Sequence, residues 1–436
     1  TDPSRRDFLQ TSALAAAGLA ARPLSAPAMV RPGNADPIRV GVIGCGGRGT
    51  GAARDCVTSS PNIEIVAMGD LFDDRLDQSK QELRQHIPAA FKVTPERTFS
   101  GFDAYRGVLE AGVDLVILAS PPAFRPDHLA AAVAAGKHIF TEKPVAVCPT
   151  GIRAVLEAAG LSEQKGLAVV AGTQRRHDPL YQLAIARIRE GAMGPVLGGQ
   201  VYWNQGGLWK FDRASGMSDV EWQIRNWLYY TWTSGDHIVE QHVHNLDVAN
   251  WVLGALPVRA TGMGGRQVRV DPAYGHIFDH FAVEFEYPGG QRILSMCRQQ
   301  DGTSRFVGER FTGADGTSDA RTFIRGRQPW RAPSSDVNPY VQEHTDLIAS
   351  IRAGSPLNEL RQVAESTLTA IMGREAAYTG QQLGWEDVLN SELDLLPGDL
   401  AFGDRPVAPV PVPGVTQLAR PPFGHARATA AGAPRP

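Results

Sequence analysis

One stretch restricts what this chain can fold into more than any other. It runs from Ile38 to Asp70 and reads IRVGVIGCGGRGTGAARDCVTSSPNIEIVAMGD. The short β-branched run Ile38, Val40, Val42 and Ile43 passes into a glycine turn, with Gly44, Gly46 and Gly49 at G-x-G-x-x-G spacing. A helix is expected next, then a second apolar strand that ends at Asp70. In such a turn the first glycine permits the tight bend, the second lets the backbone approach a pyrophosphate, and the third lets helix and strand pack closely. The helix N-terminus then supplies N–H groups for phosphates. Asp70 lies where a carboxylate reaches an adenosine ribose 2′-OH, about 20 residues beyond the glycines. The pattern predicts a dinucleotide site held by Gly44, Gly46, Gly47, Arg48, Gly49 and Asp70. A carboxylate there repels a 2′-phosphate. Leu71, Phe72 and Asp73 add no positive charge, and Arg75 is the nearest cation, so NAD is expected over NADP.

The 436 residues suffice for two domains with full cores. A net charge of -3 gives no reason to expect nucleic acid or an anionic membrane as a partner. None of the four cysteines forms a C-x-x-C pair, which leaves neither a structural zinc motif nor a disulfide scaffold. The N-terminus reads as an address. Ser4-Arg5-Arg6-Asp7-Phe8-Leu9, the apolar run Ala13 to Ala21 and the A-x-A site near Ser25 to Ala28 form a twin-arginine export pattern. Residues 1–28 are therefore expected to be a signal peptide, and the protein periplasmic.

From residue 38 strands and helices alternate, as a parallel sheet requires. Helices are expected over 73–85, 126–135 and 151–159. Strands are expected over 113–119, 137–140 and 167–171. After about residue 172 the pattern changes to longer alternating runs at 197–203, 281–287 and 292–298, which read as half-buried antiparallel strands. Helices are expected again over 341–353 and 360–378. This gives an α/β chain: an N-terminal Rossmann domain over 38–171, then a C-terminal α+β domain over 172–396 with a large, open, mainly antiparallel sheet. Residues 397–436 read as a Pro-rich tail, draped on the surface or disordered.

Two places carry chemistry. Strand 137–140 delivers Thr141-Glu142-Lys143-Pro144 to the carboxyl edge of the sheet, where ligands bind. Lys143 there can polarise a substrate oxygen or contact a nicotinamide ribose. The second place is Ser234 to Trp251. As one helix it puts His237, Glu240, His244, Asp247 and Trp251 on a single stripe. A face with four titratable groups points to a cleft. His244 is the best general acid/base. Glu240, one turn earlier, can hold the imidazole tautomer, and His242 falls off the stripe. The trio His237, Glu240 and His244 would also suit zinc, although no metal is expected.

With these residues in hand, the chain resembles the Gfo/Idh/MocA oxidoreductases, the glucose–fructose oxidoreductase and inositol dehydrogenase relatives. The resemblance rests on VGVIGCGGRG, Asp70, Glu142-Lys143-Pro144, the run Gly172 to Pro179, and Glu240-x3-His244-x2-Asp247. It implies Lys143 beside nicotinamide and substrate, and His244 as the acid/base. Ser120, Pro121, Glu142 and Lys143 complete the expected cofactor set. The cleft residues Gln174, Arg176 and His177, with His237, Asp247 and one or more of Trp203, Trp209, Trp222, Trp227 and Trp232, are expected near a sugar. The family usually carries Asp where Glu240 stands, and the longer side chain can turn toward substrate or toward a metal with His237. The expected activity is NAD-dependent oxidation of a hydroxyl on a sugar, glycoside or cyclitol, in a homodimer or homotetramer. Because free NAD is scarce outside the cytoplasm, export points to a cofactor retained and recycled in one site. A redox-neutral glycosidase working through transient C3 oxidation is one alternative. A non-catalytic sugar-binding protein on a dehydrogenase fold is another.

Overall fold

The computed structural model describes residues 36–419 apart from 397 and 399. The twin-arginine segment, its cleavage site and the tail beyond 419 lie outside the described residues.

The first sheet is parallel, with six strands in the order β3-β2-β1-β4-β5-β6. These are β1 (Ile38–Ile43), β2 (Ile63–Asp70), β3 (Thr98–Ser100), β4 (Leu115–Leu118), β5 (His138–Thr141) and β6 (Val169–Ala171). Helices α1 (Gly47–Ser59), α2 (Asp73–His86), α3 (Ala104–Glu110), α4 (Arg125–Ala134) and α5 (Pro149–Gln164) connect them and cover both faces. Central strands β1 and β4 pair in register, Val42 with Ile117 and Ile43 with Leu118. Such strands are apolar on both sides because helices pack on both sides, and Val40, Val42, Leu115 and Ile117 are fully buried. β3 and α3 went unforeseen. Both are short, and α3, AYRGVLE, is too brief to show a helical period.

Helix α6 (Pro179–Arg189) leads into β7 (Val196–Gln205), the start of the second sheet. This sheet has nine strands in the order β14-β13-β12-β11-β7-β10-β9-β8-β15. Its long members are β8 (Arg259–Gly265), β9 (His280–Glu286), β10 (Arg292–Gln299) and β11 (Phe306–Gly313). The short edge strands β12 (Gly316–Ser318), β13 (Phe323–Arg325) and β14 (Trp330–Arg331) close one side, and β15 (Leu383–Gly384) the other. β10 and β7 pair in parallel, whereas the other neighbours are antiparallel. One face packs on helices through Val201, Phe281, Val283, Phe285, Ile293 and Phe311. Between β7 and β8 lie α7 (Asp219–Arg225), α8 (Thr231–Ser234), α9 (His237–Glu240) and α10 (Val243–Leu253). After β14 come α11 (Pro339–Ala353), α12 (Leu360–Thr379) and α13 (Trp385–Leu389).

The chain does not leave the first domain for good at residue 172. Leu347, Ile348 and Ile351 of α11 sit in the apolar cluster of β1, β2 and α1. Leu360, Val363 and Ala364 of α12 join the cluster on the other face of that sheet. Their apolar period was legible, but a period does not say which sheet it seeks. The described part of the tail lies along the surface: Gly414 donates to the Thr379 carbonyl at 2.8 Å, and Ala419 accepts from Ser391 Oγ at 2.5 Å. Among the described residues no helix is long and apolar enough to cross a membrane.

Candidate active site

The carboxyl ends of β1, β2, β4, β5 and β6 open into a cleft of about 650 Å³ whose opposite wall comes from the second domain. In an open parallel sheet this edge is the ligand-binding one, because strand order reverses there and the connecting loops part. Gly44, Asp70, Ser120, Pro121, Glu142 and Lys143 line it from the first domain. Trp209, Trp227, Glu240, Gln241, His244 and Tyr340 face them.

The glycine turn has the geometry its spacing predicts. Gly44 adopts a φ of 91°, and a Cβ there would lie 2.3 Å from the Ser120 nitrogen. A Cβ at Gly49 would sit 1.9 Å from the Gly44 carbonyl oxygen, so only glycine lets α1 approach β1 this closely. Gly46 and Gly47 instead meet open space within the cleft. No side chain caps α1, which leaves its first-turn N–H groups for an anion. Asp70 closes the floor: its Oδ2 accepts from the Cys45 N–H at 2.6 Å and its Oδ1 from Phe72 N–H at 2.9 Å. A carboxylate has about four acceptor positions, so room for a diol remains. The cradle fits a dinucleotide.

Lys143 is half-buried, and its Nζ donates to the Glu240 carbonyl at 2.5 Å. Burial pulls its pKa down against the carboxylates Glu240 and Glu142. Burial pushes Glu240 up to about 7, with the charges of Lys143 and Arg269 acting the other way. His244 is held well below the ordinary imidazole value, first by burial and then by Lys143 and Arg175. Neutral imidazole can accept a proton. One ammonium, one carboxyl titrating near neutrality and one neutral imidazole thus meet across one end of the cleft, and that set can move a proton from a hydroxyl.

Glu142 plays a different part. Burial raises its pKa, but Arg48 and Lys143 outweigh this and hold it low. Arg48 ion-pairs with Glu142, and with Glu343 of α11 at 3.3 Å, so it ties the glycine turn to the strand end that carries Lys143. Arg125 was not anticipated. Buried, it donates to the Ser120 carbonyl at 2.8 Å and to the Pro144 carbonyl, and thereby staples the ends of β4 and β5 together. Its only sequence signal is a lone arginine opening an alanine-rich helix. Gln241 and Tyr340 also went unpredicted, because one follows a helix end and the other begins a helix far along the chain. Gln174 does line the cleft and donates to the Tyr340 hydroxyl at 3.0 Å.

The single helix expected from Ser234 to Trp251 does not exist. Asp236 takes a left-handed φ of 71° and caps the short α9 through His237 N–H. The chain then breaks at Gln241 and His242 before α10 begins. The stripe drawn at 100° per residue therefore dissolves. Glu240 and His244 both reach the cleft but share no hydrogen bond, so the carboxylate does not hold the imidazole, whose Nδ1 is unpartnered. His237 turns away, its Nδ1 2.9 Å from Asp236. Asp247 instead accepts from Arg176 Nε at 2.9 Å and from Ser366 Oγ at 2.7 Å, which binds α10 to α12. His177 lies between Asp346 at 2.6 Å and Glu359 at 3.3 Å. Burial alone lowers its pKa, but these carboxylates carry it up to about 10. Trp203 stacks on His244 at 5.7 Å from behind. Arg176, His177, Trp203, His237 and Asp247 are thus not among the residues lining the cleft. Among the described residues no group of three His, Cys, Asp or Glu could hold a metal ion. His242, expected to point away from the cleft, is buried with its Nε2 2.8 Å from Ser295 Oγ.

A profile described as the oxidoreductase family with an NAD-binding Rossmann fold, Gfo/Idh/MocA, matches residues 38–172, and the family's C-terminal domain matches residues 181–317. The chain belongs to the Gfo/Idh/MocA family. This Gfo/Idh/MocA protein is 28% identical over 227 residues to the NAD(+)-dependent scyllo-inositol 2-dehydrogenase of Bacillus subtilis (strain 168), covering 52% of this chain and 57% of that enzyme's length. It is 26% identical over 326 residues to a glycosyl hydrolase family 109 protein of Shewanella pealeana, covering 70% of this chain and 68% of that one. Its fold matches the crystal structure of aldose-aldose oxidoreductase from Caulobacter crescentus with a TM-score of 0.62 at 17% identity, over 80% of this chain and 99% of that one. The Rossmann domain of this Gfo/Idh/MocA protein is an NAD-binding one.

Proposed function

We propose that this protein oxidises a hydroxyl of a sugar, glycoside or cyclitol with NAD as hydride acceptor. One observation carries the reading: a single cleft holds the dinucleotide cradle from Gly44 to Asp70 on one wall and Lys143, Glu240 and His244 together at its other end. Bound NAD supplies the two-electron acceptor. The protein's own residues do the rest. The α1 N-terminus and Asp70 hold the dinucleotide. Lys143 donates to the substrate oxygen and stabilises the charge that grows on it as the hydroxyl proton leaves. His244, neutral, takes that proton. Glu240, ionised above about pH 7, offsets the added positive charge.

We further propose export by the twin-arginine route, supported by the Ser4 to Leu9 motif, with the cofactor retained and recycled between substrates. Pairing of two or four copies is supported by the outer face of the nine-stranded sheet, where Met263, Leu294 and Phe306 stand exposed. A redox-neutral glycosidase is the second reading. It is favoured by the presence of two separate proton-active side chains, Glu240 and His244, beside one ammonium, because elimination needs both a base and an acid. The test is a screen of polyols and glycosides on dialysed protein without added NAD. Absorbance reports reduced nicotinamide and mass spectrometry reports product. One burst of reduced nicotinamide means an ordinary dissociable dehydrogenase, and many turnovers of product mean recycling. Aglycone release with no net reduction means the second reading. No product and no nicotinamide signal from any polyol or glycoside would reject all three.

A further inference from the structure

The adenosine end of the cleft is marked by Asp70, and its walls there are not those of the first domain alone. Leu71, Phe72 and Phe102 from the first domain are met by Ile224 and Arg225 of α7 and by Trp227. Helix α7 is anchored across the gap. Arg225 donates to both oxygens of Asp74, at 3.0 and 3.1 Å, and its guanidinium lies 3.8 Å from the centre of the Phe72 ring. A second element lies over the same place. The Phe402 ring, near the start of the tail, stands 6.1 Å from Phe72 and 5.1 Å from Phe102.

This tail segment is held rather than merely laid down. Val220 N–H donates to the Gly403 carbonyl at 3.1 Å, Gln223 to the Arg405 carbonyl at 2.6 Å, and Arg405 N–H to Asp219 at 3.0 Å. The Arg405 guanidinium caps the Trp232 ring at 4.6 Å. Helix α7 and residues 400–405 are thus one unit, built on the second domain and closed onto first-domain side chains that line the cofactor cleft. Phe402 remains half exposed at 49%. A ring left so open contributes little to a core, yet it is placed against the two aromatic side chains at the adenosine end.

We infer that α7 and residues 400–405 form a clasp over the NAD adenosine, and that Arg225–Asp74 and Phe402 set how slowly the cofactor leaves. The inference rests on the reading of this cleft as an NAD site and adds the elements that retain the cofactor there. A dinucleotide seated between Asp70 and the α1 N-terminus has to displace both contacts to depart. Its release rate then follows the opening of the clasp, and its chemistry at Lys143 and His244 does not.

The test measures NAD release directly, with no substrate present. Full-length protein is loaded with NADH and diluted into excess NAD, and the decay of NADH fluorescence gives the dissociation rate. Arg225→Ala and Phe402→Ala are each expected to release NADH at least tenfold faster than wild type. Phe402→Leu is expected to fall between, and Val415→Ala, an exposed tail position away from the clasp, to match wild type. Circular dichroism checks that each variant is folded, and Phe402→Ala, at an exposed ring, keeps the test open if Arg225→Ala is not. Equal release from wild type, Arg225→Ala and Phe402→Ala overturns the clasp while leaving the NAD reading intact. Wild-type protein that takes up no NADH overturns both. Fast wild-type release with still faster variants supports the clasp and removes only the retention of cofactor across turnovers.

Discussion

Replacing Glu240 by glutamine keeps the side-chain volume and removes a buried acid, so the outcome follows from one quantity. Burial pushes this carboxyl from its ordinary 4.5 to about 7. Folding therefore favours the protonated acid. The group's contribution is intact below about pH 4.5 and is lost as pH rises through about 7, where the folded protein carries a charge it holds poorly. At about 1.4 kcal/mol per unit, the raised pKa of Glu240 costs the fold, relative to an unfolded chain whose carboxyl ionises freely, on the order of 1 kcal/mol at pH 5 and about 3 kcal/mol at pH 8. Glu240→Gln removes that cost. The variant is expected to gain stability over wild type with rising pH, by up to about 2 kcal/mol more at pH 8 than at pH 5. The figure is a ceiling, because Lys143 loses a carboxylate that supports its charge. Urea unfolding midpoints of both proteins from pH 5 to pH 8 give the comparison. The same variant tests function. Wild-type kcat/KM is expected to fall about tenfold per unit below about pH 7, and Glu240→Gln to lose that limb at a lower plateau. A stability gain equal at pH 5 and pH 8, together with an unmoved limb, would refute the assignment.

Further outcomes follow from the cradle and the proton-moving set. Asp70→Ala is expected to relax the preference for NAD over NADP, as read from binding constants for the two at equal salt; wild type that binds NADP as tightly as NAD would show that the carboxylate does not discriminate. His244→Ala is expected to leave NAD affinity unchanged and to cut turnover by about 10² to 10⁴. His242→Ala, which strips a buried bond to Ser295, should instead cost about 1 to 3 kcal/mol of stability and leave the turnover of the folded fraction near wild type. Gly49→Ala places a methyl 1.9 Å from the Gly44 oxygen and is expected to abolish NAD binding in titration calorimetry, whereas Gly46→Ala, which meets open space, keeps a fold that melts as wild type does.

Much of the architecture was legible because it is written in local patterns. The alternating β-branched runs and glycine spacing of 38–70 require a strand, a tight turn and a helix in that order, and those residues meet in space as neighbours along the chain. Lys143 was readable for the same reason: a buried strand stopped by proline can only present its last residues at the carboxyl edge. The helices 339–353 and 360–379 showed their apolar period, and only their destination was hidden.

What the sequence determined by itself is the set of short-range geometries: the cradle, the acidic end of β2, the lysine at the end of β5 and the alternation that makes two sheets. What only the tertiary structure decided is which side chains share the cleft. His237 to Asp247 failed as a helical stripe because the chain turns at Gln241 and His242 between two helices, and the first of these starts where a positive-φ Asp236 is bonded to Phe278 N–H at 2.8 Å and Tyr378 at 2.5 Å, partners 42 and 142 residues away. Arg176, His177 and Asp247 carry the same charges whether they face a ligand or an ion-pair partner, and Ser366, Asp346 and Glu359 settled the matter from later in the chain. Tyr340 and Arg225 reach the cleft, and Phe402 reaches the Phe72 and Phe102 rings beside it, only because α7, α11 and the tail cross back over the first domain. Periodicity records which face of an element is apolar, and long-range packing alone chooses the surface that face meets.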